Sequence, residues 1–215
     1  MRRILPSSRA TGNGAIAALY NRAAKGWQAG IDRLGYAESY QALADRALQH
    51  HPITTTEHVL DAGTGTGALA RAFAEQADVP PRFDLLDLSP DMLTEAARTV
   101  PNTERCLEGP LGTPKVTAQY DRVLCGHVIE HTDDPVASLS WLFDRLRPGG
   151  GLILAVSQPH WCTALVRWRW GNAAYRPDEV TAMLTDAGFD RTTVCPHASG
   201  PPSRISCGYL ATRPA

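Results

Sequence analysis

The stretch VLDAGTGTGALA, Val59 to Ala70, decides the fold of this chain. Apolar residues lead into Asp61, and glycines then stand at alternating positions, Gly63, Gly65 and Gly67, before a run that suits a helix. Glycines in that pattern let a strand turn sharply into a helix and leave no side chain between backbone and ligand, while the helix N-terminus offers free N–H groups. Outward from it, short apolar runs (HVLDA, RFDLLDL, YDRVLCG, GLILAVS) alternate with helix-like segments (ALARAFAEQ, SPDMLTEAARTV, SLSWLFDRLR). That alternation predicts an α/β fold with a doubly wound, mostly parallel sheet and crossover helices.

The punctuation agrees. Ser89 and Pro90 read as N-cap and first position of a helix, and RPGGG, Arg147 to Gly151, reads as the stop between a helix and a strand. The last third, TTVCPH and ISCGYLATR around a Gly/Pro loop, predicts two antiparallel strands at the sheet's end. Before the glycine run, Ile16, Leu19, Tyr20, Ala23 and Trp27 fall at helical spacing, as do Tyr40, Leu43, Ala44, Ala47 and Leu48.

Composition is that of an ordinary globular chain: 215 residues, 43% hydrophobic, 20% charged, formal net charge −1. Nothing in that balance favours nucleic acid or an anionic membrane as a partner. Five scattered cysteines without a C-x-x-C pair suit a reduced, intracellular chain, and no run approaches the ~20 apolar residues that span a bilayer. The cytoplasm is the expected location. The sequence leaves the oligomeric state open.

The glycines alone do not choose a ligand. Gly63, Gly65 and Ala68 satisfy the permissive dinucleotide fingerprint, and Asp87 stands about 20 residues past Gly67, where an acid would meet a ribose. Asp61 discriminates: a carboxylate at the strand's end would repel a pyrophosphate but would accept a hydrogen bond from an ammonium. S-adenosylmethionine carries an ammonium and a sulfonium at one end and a ribose near the other, so Asp61 and Asp87 would each find a partner. The competing role for Asp61 is an N-cap of the following turn.

VLDAGTGTG resembles the first motif of class I S-adenosylmethionine-dependent methyltransferases, and LLDLSPDML resembles their second. The likeness continues through YDRVLCGHVIEH, LFDRLRPGGGLILAV and RPDEVTAMLTDAGF, covering about Tyr20 to Arg213. The opening YNRAAKGWQAGIDRLGYAESYQAL is similar to the cap of the ubiquinone/menaquinone-methyltransferase-like, small-molecule branch. The resemblance implies a Rossmann-like, seven-stranded sheet with the last strand antiparallel. It also implies a helical cap over residues 1–56 joined to a cofactor-binding domain over 57–215 in one compact unit. The implied activity is methyl transfer to a small molecule by in-line displacement. An NAD(P)-dependent oxidoreductase and a non-methylating S-adenosylmethionine-binding protein are the alternatives.

Carried onto this chain, the resemblance gives Asp61, Gly63, Thr64 and Gly65 the methionine portion, Asp87 the ribose and Leu88 a face of the adenine. Cys125, at the end of the fourth strand, is placed beside the cofactor. In the segment after the third strand, family members often carry an acid following a small glycine, to meet the adenine amino group. CLEGPLG instead puts Pro110 after Gly109, so Glu108 or a backbone carbonyl near Gly109 takes that contact.

HVIEH, His127 to His131, also matches a zinc-peptidase pattern in which two histidines one helical turn apart bind the metal. A strand ending at Gly126 and Pro135 closing the segment leave no room for the sustained helix that motif needs, so no metal is expected. The family likeness makes His131 or His127 the candidate base toward the acceptor, since imidazole titrates near neutral pH. His50, His51, His58, His160 and His197 show no partner by spacing and suit surface or loop positions. Tyr20, Trp27 and Tyr36 on the N-terminal helices, and Trp161 in SQPHWCTALVRWRWGNAAYRP, are the aromatic candidates for an acceptor pocket.

Overall fold

A computed structural model describes residues 33–160 and 173–215. The expected first helix, with Tyr20 and Trp27, and the Arg/Trp segment around Trp161 lie outside the described residues.

Helix α1 (Tyr36–His50) precedes a βα succession: β1 (His58–Ala62), α2 (Ala68–Gln76), β2 (Arg82–Asp87), α3 (Pro90–Thr99), β3 (Thr103–Glu108) and β4 (Tyr120–Gly126). A 3-10 turn (Ile129–His131), α4 (Pro135–Arg145), β5 (Leu146–Ser157), α5 (Pro177–Asp186), β6 (Asp190–Pro196), the short α6 (Pro202–Ile205) and β7 (Ser206–Thr212) follow. The strands form one sheet in the order β3-β2-β1-β4-β5-β7-β6. Pairing is parallel except along β7, which runs antiparallel to β5 and to β6. This is the doubly wound, seven-stranded architecture expected.

Side-chain alternation sorts the core into two layers. Leu60, Ala62, Val123, Cys125, Leu152 and Leu154 pack with Leu139 and Leu142 of α4 and Val180 and Leu184 of α5. Val59, Leu85, Leu124 and Ile153 pack on the other face with Leu69 and Phe73 of α2, Leu93 and Ala96 of α3, and Tyr40, Leu43, Ala44 and Ala47 of α1. The apolar stripe read for the second N-terminal helix is therefore a core stripe that seats α1 on the sheet.

Local signals are met at both proline-started helices: Ser89 Oγ accepts from Met92 N at 3.2 Å, and Asp134 Oδ1 accepts from Ala137 N at 2.9 Å. Arg147–Gly151 corrects the reading of a stop between elements. The run begins β5 itself, with Gly149 at φ 79° and its N–H bonded to Arg213 O, so the glycines form an irregular strand entry.

Strand order reverses between β1 and β4: the chain moves outward through β2 and β3, then returns to start the other half. Such a switch leaves a crevice beyond the carboxyl ends of the strands, where α/β sheets bind ligands. Asp61, Asp87 and Gly126 all stand at that edge.

Candidate functional site

The glycine loop is held tightly on its strand side. Gly63 N and Thr64 N both donate to Leu86 O, at 2.7 and 2.9 Å, and Gly67 N donates to Thr64 O. Gly63, Gly65 and Gly67 all have positive φ, at 75°, 53° and 81°. Two of them are also packed: a Cβ at Gly63 would fall 2.3 Å from Val128 Cγ2, and one at Gly67 2.5 Å from Val100 Cγ2. A Cβ at Gly65 meets nothing within 4 Å. The middle glycine thus faces open space.

Asp61 is 1% exposed and accepts a hydrogen bond from Thr64 Oγ1 at 2.5 Å. Burial pushes its carboxyl up to about 7; the Thr64 bond opposes that rise and nearby Asp87 adds to it. No salt bridge reaches Asp61 among the described residues. Asp87 ends β2 and accepts from Gly65 N at 2.8 Å and from Ser89 N at 2.9 Å, which ties the acid to the open glycine. Burial raises its carboxyl, and the backbone bonds from Ser89, Gly65 and Leu88 temper the rise.

Leu88 is half-buried beside it, and β3 brings Glu108 opposite Asp87 in the sheet. Glu108 is exposed, and its carbonyl accepts from Lys115 Nζ at 2.7 Å. Gly109 N donates to Asp87 O, and a Cβ there would sit 3.0 Å from Thr113 Oγ1. Cys125 is fully buried in the core layer under α4, its thiol pushed up by burial and by the Glu130 and Asp61 carboxylates.

Next to this crevice lies a buried polar chain centred on His127. Its φ of 57° is uncommon for a residue with a Cβ, and its N–H extends the ladder to Ala155 O at 2.8 Å. Nδ1 lies 3.1 Å from Glu130 Oε1 and 3.2 Å from Ser157 Oγ; Nε2 lies 3.2 Å from Ser206 Oγ, which is itself 3.2 Å from His197 Nε2. Glu130 also accepts from Ser157 N at 2.7 Å. Burial alone would raise the Glu130 carboxyl, but the His127 and Ser157 contacts outweigh it and hold the acid below its ordinary range.

The Tyr36 ring meets the His127 ring edge-on at 5.2 Å, and Tyr40 stacks beside Tyr36 at 5.8 Å. Burial first, then Glu130, pushes the Tyr36 phenol up to about 12. Tyr40 also bounds the crevice: a Cβ on Gly126 would stand 3.5 Å from its hydroxyl. A cleft of about 660 Å³ lies between the start of α1 and the segment before β7, lined by Leu34, Gly200, Arg204 and Ile205 among others.

The structure therefore gathers Asp61, Gly63, Thr64, Gly65 and Asp87 at one end of the crevice and His127 with Tyr36 at the other. His131 sits half-buried in the 3-10 turn, its N–H on Val128 O. Two expectations are corrected: His197 is 8% exposed and bonded to Ser206, and His58 lies at the foot of β1, 3.1 Å from Asp84. Neither is a free surface histidine. Ser157 and Ser206 carry no local signal in the sequence and Tyr40 reads there only as part of an apolar stripe; the three-residue spacing of His127 and Glu130 is the signal that could have joined that pair.

A glycine loop after β1, an acid ending β2 and an order reversal beside β4 define a nucleoside-binding α/β domain. The model of the methyltransferase domain family matches residues 25–194, and the chain belongs to that family. Membership separates its glycine loop from the dinucleotide loops whose spacing it shares. The biotin biosynthesis bifunctional protein of Bordetella avium is 32% identical over 140 residues, 61% of this chain and 29% of that protein. The ubiquinone biosynthesis O-methyltransferase of Psychrobacter arcticus is 30% identical over 158 residues, 63% of this chain and 60% of that protein. The chain thus spans 29% to 60% of the length of these two relatives. Among solved structures, magnesium protoporphyrin IX methyltransferase from Synechocystis, with bound S-adenosylhomocysteine, shares the fold at a TM-score of 0.72 and 18% identity, covering 94% of this chain and 99% of that one.

Proposed function

We propose that the chain binds S-adenosylmethionine across the carboxyl ends of β1, β2 and β4 and transfers its methyl group to a small molecule entering from the α1 side. The carrying observation is Asp61: a carboxyl 1% exposed that no described cation balances. A buried acid left so is costly unless a ligand brings the countercharge. An ammonium on Asp61, the open face of Gly65 under the ligand and the Asp87 carboxylate on ribose hydroxyls match the two ends of that cofactor. Leu88 packs on the adenine, and Glu108 or the carbonyl edge at Gly109 meets its amino group; Cys125 contributes through its place at the end of β4.

Bound there, the cofactor supplies an electrophilic methyl on a sulfonium. The protein's contribution is alignment in a site closed to water, an effect that reaches about 7–11 kcal/mol in favourable cases. Tyr36 walls the acceptor side; Tyr20, Trp27 and Trp161 are proposed to complete it, with residues 1–56 as the cap over 57–215. No described helix is long and apolar enough to cross a membrane. A small molecule, rather than nucleic acid, is the proposed partner, and the cytoplasm the proposed location.

Calorimetric titration with S-adenosylmethionine, S-adenosylhomocysteine and NAD tests the binding. Micromolar binding of the first two is expected. Tight NAD binding with silence toward both would overturn the reading, and cofactor binding without methyl transfer to any small acceptor would leave a non-methylating binding protein.

A further inference from the structure

We infer that the acceptor is an aromatic nitrogen heterocycle whose lone pair is free at neutral pH, that its methylation needs no base, and that the Glu130 carboxylate steadies the positive charge as it passes from sulfur to nitrogen. This rests on the methyltransferase reading above and names its substrate class. His127, a candidate base by family likeness, has no ring nitrogen left for an acceptor's proton. Glu130 Oε1 takes the Ser157 N–H at 2.7 Å and lies 3.1 Å from His127 Nδ1, which carries a proton and donates it to the carboxylate. Nε2 lies 3.2 Å from the hydroxyl of Ser206, a residue 1% exposed whose Oγ is also 3.2 Å from His197 Nε2. Both nitrogens are engaged inside the protein, so the imidazole is a fixed wall beside the site.

Glu130 is then the charge of this network. Its side chain is 1% exposed. Among the described residues Oε2 has no hydrogen-bond partner, and no lysine or arginine pairs with the acid. Burial would raise the carboxyl, but His127 and then Ser157 outweigh it and keep the acid ionised. Phenol rings gather round it: Tyr36, Tyr40 and Tyr175 are pushed up by burial first and by the Glu130 charge as well, so all three stay neutral. A buried carboxylate with an oxygen to spare, among aromatic rings whose faces are electron-rich, is a setting for a cation. Its field reaches the proposed methionine end: the Cys125 thiol, raised by burial, feels Glu130 and Asp61 together, and Val128 packs against Gly63 of the glycine loop.

These surroundings select among acceptors. A hydroxyl must lose its proton to a base, and this network offers none: His127 is engaged, and burial, then His127, push His197 down to about 4. A phenolate, thiolate or carboxylate would face Glu130 with no cation to offset the repulsion. An aliphatic amine is an ammonium at neutral pH, and Glu130 would hold it in that unreactive form. A pyridine- or imidazole-type nitrogen arrives neutral with its lone pair free. As that lone pair forms the nitrogen–carbon bond, the methyl–sulfur bond breaks with its electron pair left on sulfur, and no bond to hydrogen breaks. One positive charge persists throughout, on sulfur before transfer and on the ring nitrogen after it. Glu130 and the phenol rings face that charge at both stages, and the rings offer flat partners to a planar heterocycle.

The test uses the full chain with S-adenosylmethionine and pyridine, quinoline and 1-methylimidazole as probes, against phenol, 4-nitrophenol and decanoate, at about pH 8 where the three nitrogens are mostly unprotonated. Methyl transfer to a heterocycle and none to phenol or decanoate is expected. E130Q, which keeps an oxygen for the Ser157 N–H, should lower kcat on the best heterocycle about tenfold or more with KM within about threefold, and should raise transfer to 4-nitrophenol, which is an anion at that pH. Opposite signs on the two probes report the charge, which a merely structural loss would not do. A second measurement needs no variant: with S-adenosylhomocysteine present, the parent chain should bind N-methylquinolinium about tenfold or more tighter than its uncharged isostere 1-methylnaphthalene. Transfer to phenol or decanoate, transfer to no probe, losses of one sign in E130Q, or equal binding of the cation and its isostere would each overturn the inference. A parent chain that fails to bind the cofactor would instead overturn the methyltransferase reading, which the binding titration reports separately.

Discussion

Cofactor affinity should depend on pH through Asp61, and the shape of that dependence follows from the structure. Burial pushes the carboxyl up to about 7, so in the ligand-free protein it is mostly neutral at pH 6 and mostly ionised at pH 8. A cationic ligand requires the ionised form, and its arrival should return the group toward an ordinary carboxylate range near ~3.9. Affinity should therefore rise about tenfold from pH 5 to pH 6 and about fivefold more to pH 7, about 50-fold in all. Above about 7.7–8.0 the ligand's own α-amino group loses its proton and affinity falls again, giving a maximum between the two limbs.

Calorimetry in buffers of differing ionisation enthalpy supplies an independent count: binding should release about 0.9 proton at pH 6. D61N should abolish the lower limb and keep the upper one, with weaker binding at pH 7.5. Stability of the ligand-free protein moves the other way. Between pH 4 and 7 the unfolded chain gives up a proton that the folded chain keeps, so stability should fall as pH rises through that window, by at most about 4 kcal/mol. Proton-neutral binding at pH 6, or an affinity flat from pH 5 to 7, would refute a buried carboxyl that ionises to meet the ligand.

Further perturbations separate architecture from site. G63A places a methyl 2.3 Å from Val128 at a positive φ and should cost about 2–4 kcal/mol in urea unfolding, whereas G65A, facing open space, should cost about 1 kcal/mol and still weaken the cofactor in titration at least tenfold. D84N removes the charge and replaces one of the two oxygens that accept from Arg105 and Tyr120 with a donor, and should cost about 2–3 kcal/mol at pH 7. Although burial raises Asp84, its partners hold it below the ordinary range, so that stability is complete above about pH 4 and lost on acidification; the difference in unfolding between D84N and parent should shrink progressively as pH falls below that. D134A removes the cap of α4 and should cost about 1 kcal/mol in thermal unfolding with unchanged cofactor affinity.

The sheet was legible because its signals are local and repeated: apolar runs, turn glycines and the proline-started helices each report on the few residues around them. The proposed cofactor end rests on equally local signals, since Asp61 through Gly67 are one continuous stretch from the end of β1 into the glycine turn and Asp87 lies one strand away. The polar network around His127 is assembled differently. His127 follows β4, Ser157 ends β5, His197 follows β6 and Ser206 opens β7, so the contacts between them span 30 and 79 residues along the chain. No spacing rule reaches across that separation; strand order in the sheet creates the juxtaposition. His197 does lie in a loop, after β6, but its burial against Ser206, like that of His58 against Asp84, has no signal in spacing for that reason.

Two buried acids on neighbouring strands, Asp84 and Asp61, sit in contrasting surroundings. Asp84, near the start of β2, is fully buried, as Asp61 is. It takes Arg105 Nε at 3.0 Å on one oxygen, Arg105 Nη2 at 2.5 Å and Tyr120 Oη at 2.8 Å on the other, with His58 Nε2 3.1 Å away. The chain itself completes that site, and the acid is held ionised. Asp61, on the adjacent strand and one residue further along in register, has Thr64 and no such cation among the described residues, and its carboxyl rises instead of falling. Burial acts on both acids, and the shifts are opposite because Asp84 has positive partners in the chain while Asp61 has none among the described residues. A fold that supplies an arginine and two further donors to one buried carboxylate leaves the other short, and that contrast is why Asp61 is proposed as the group that takes a cation from solution.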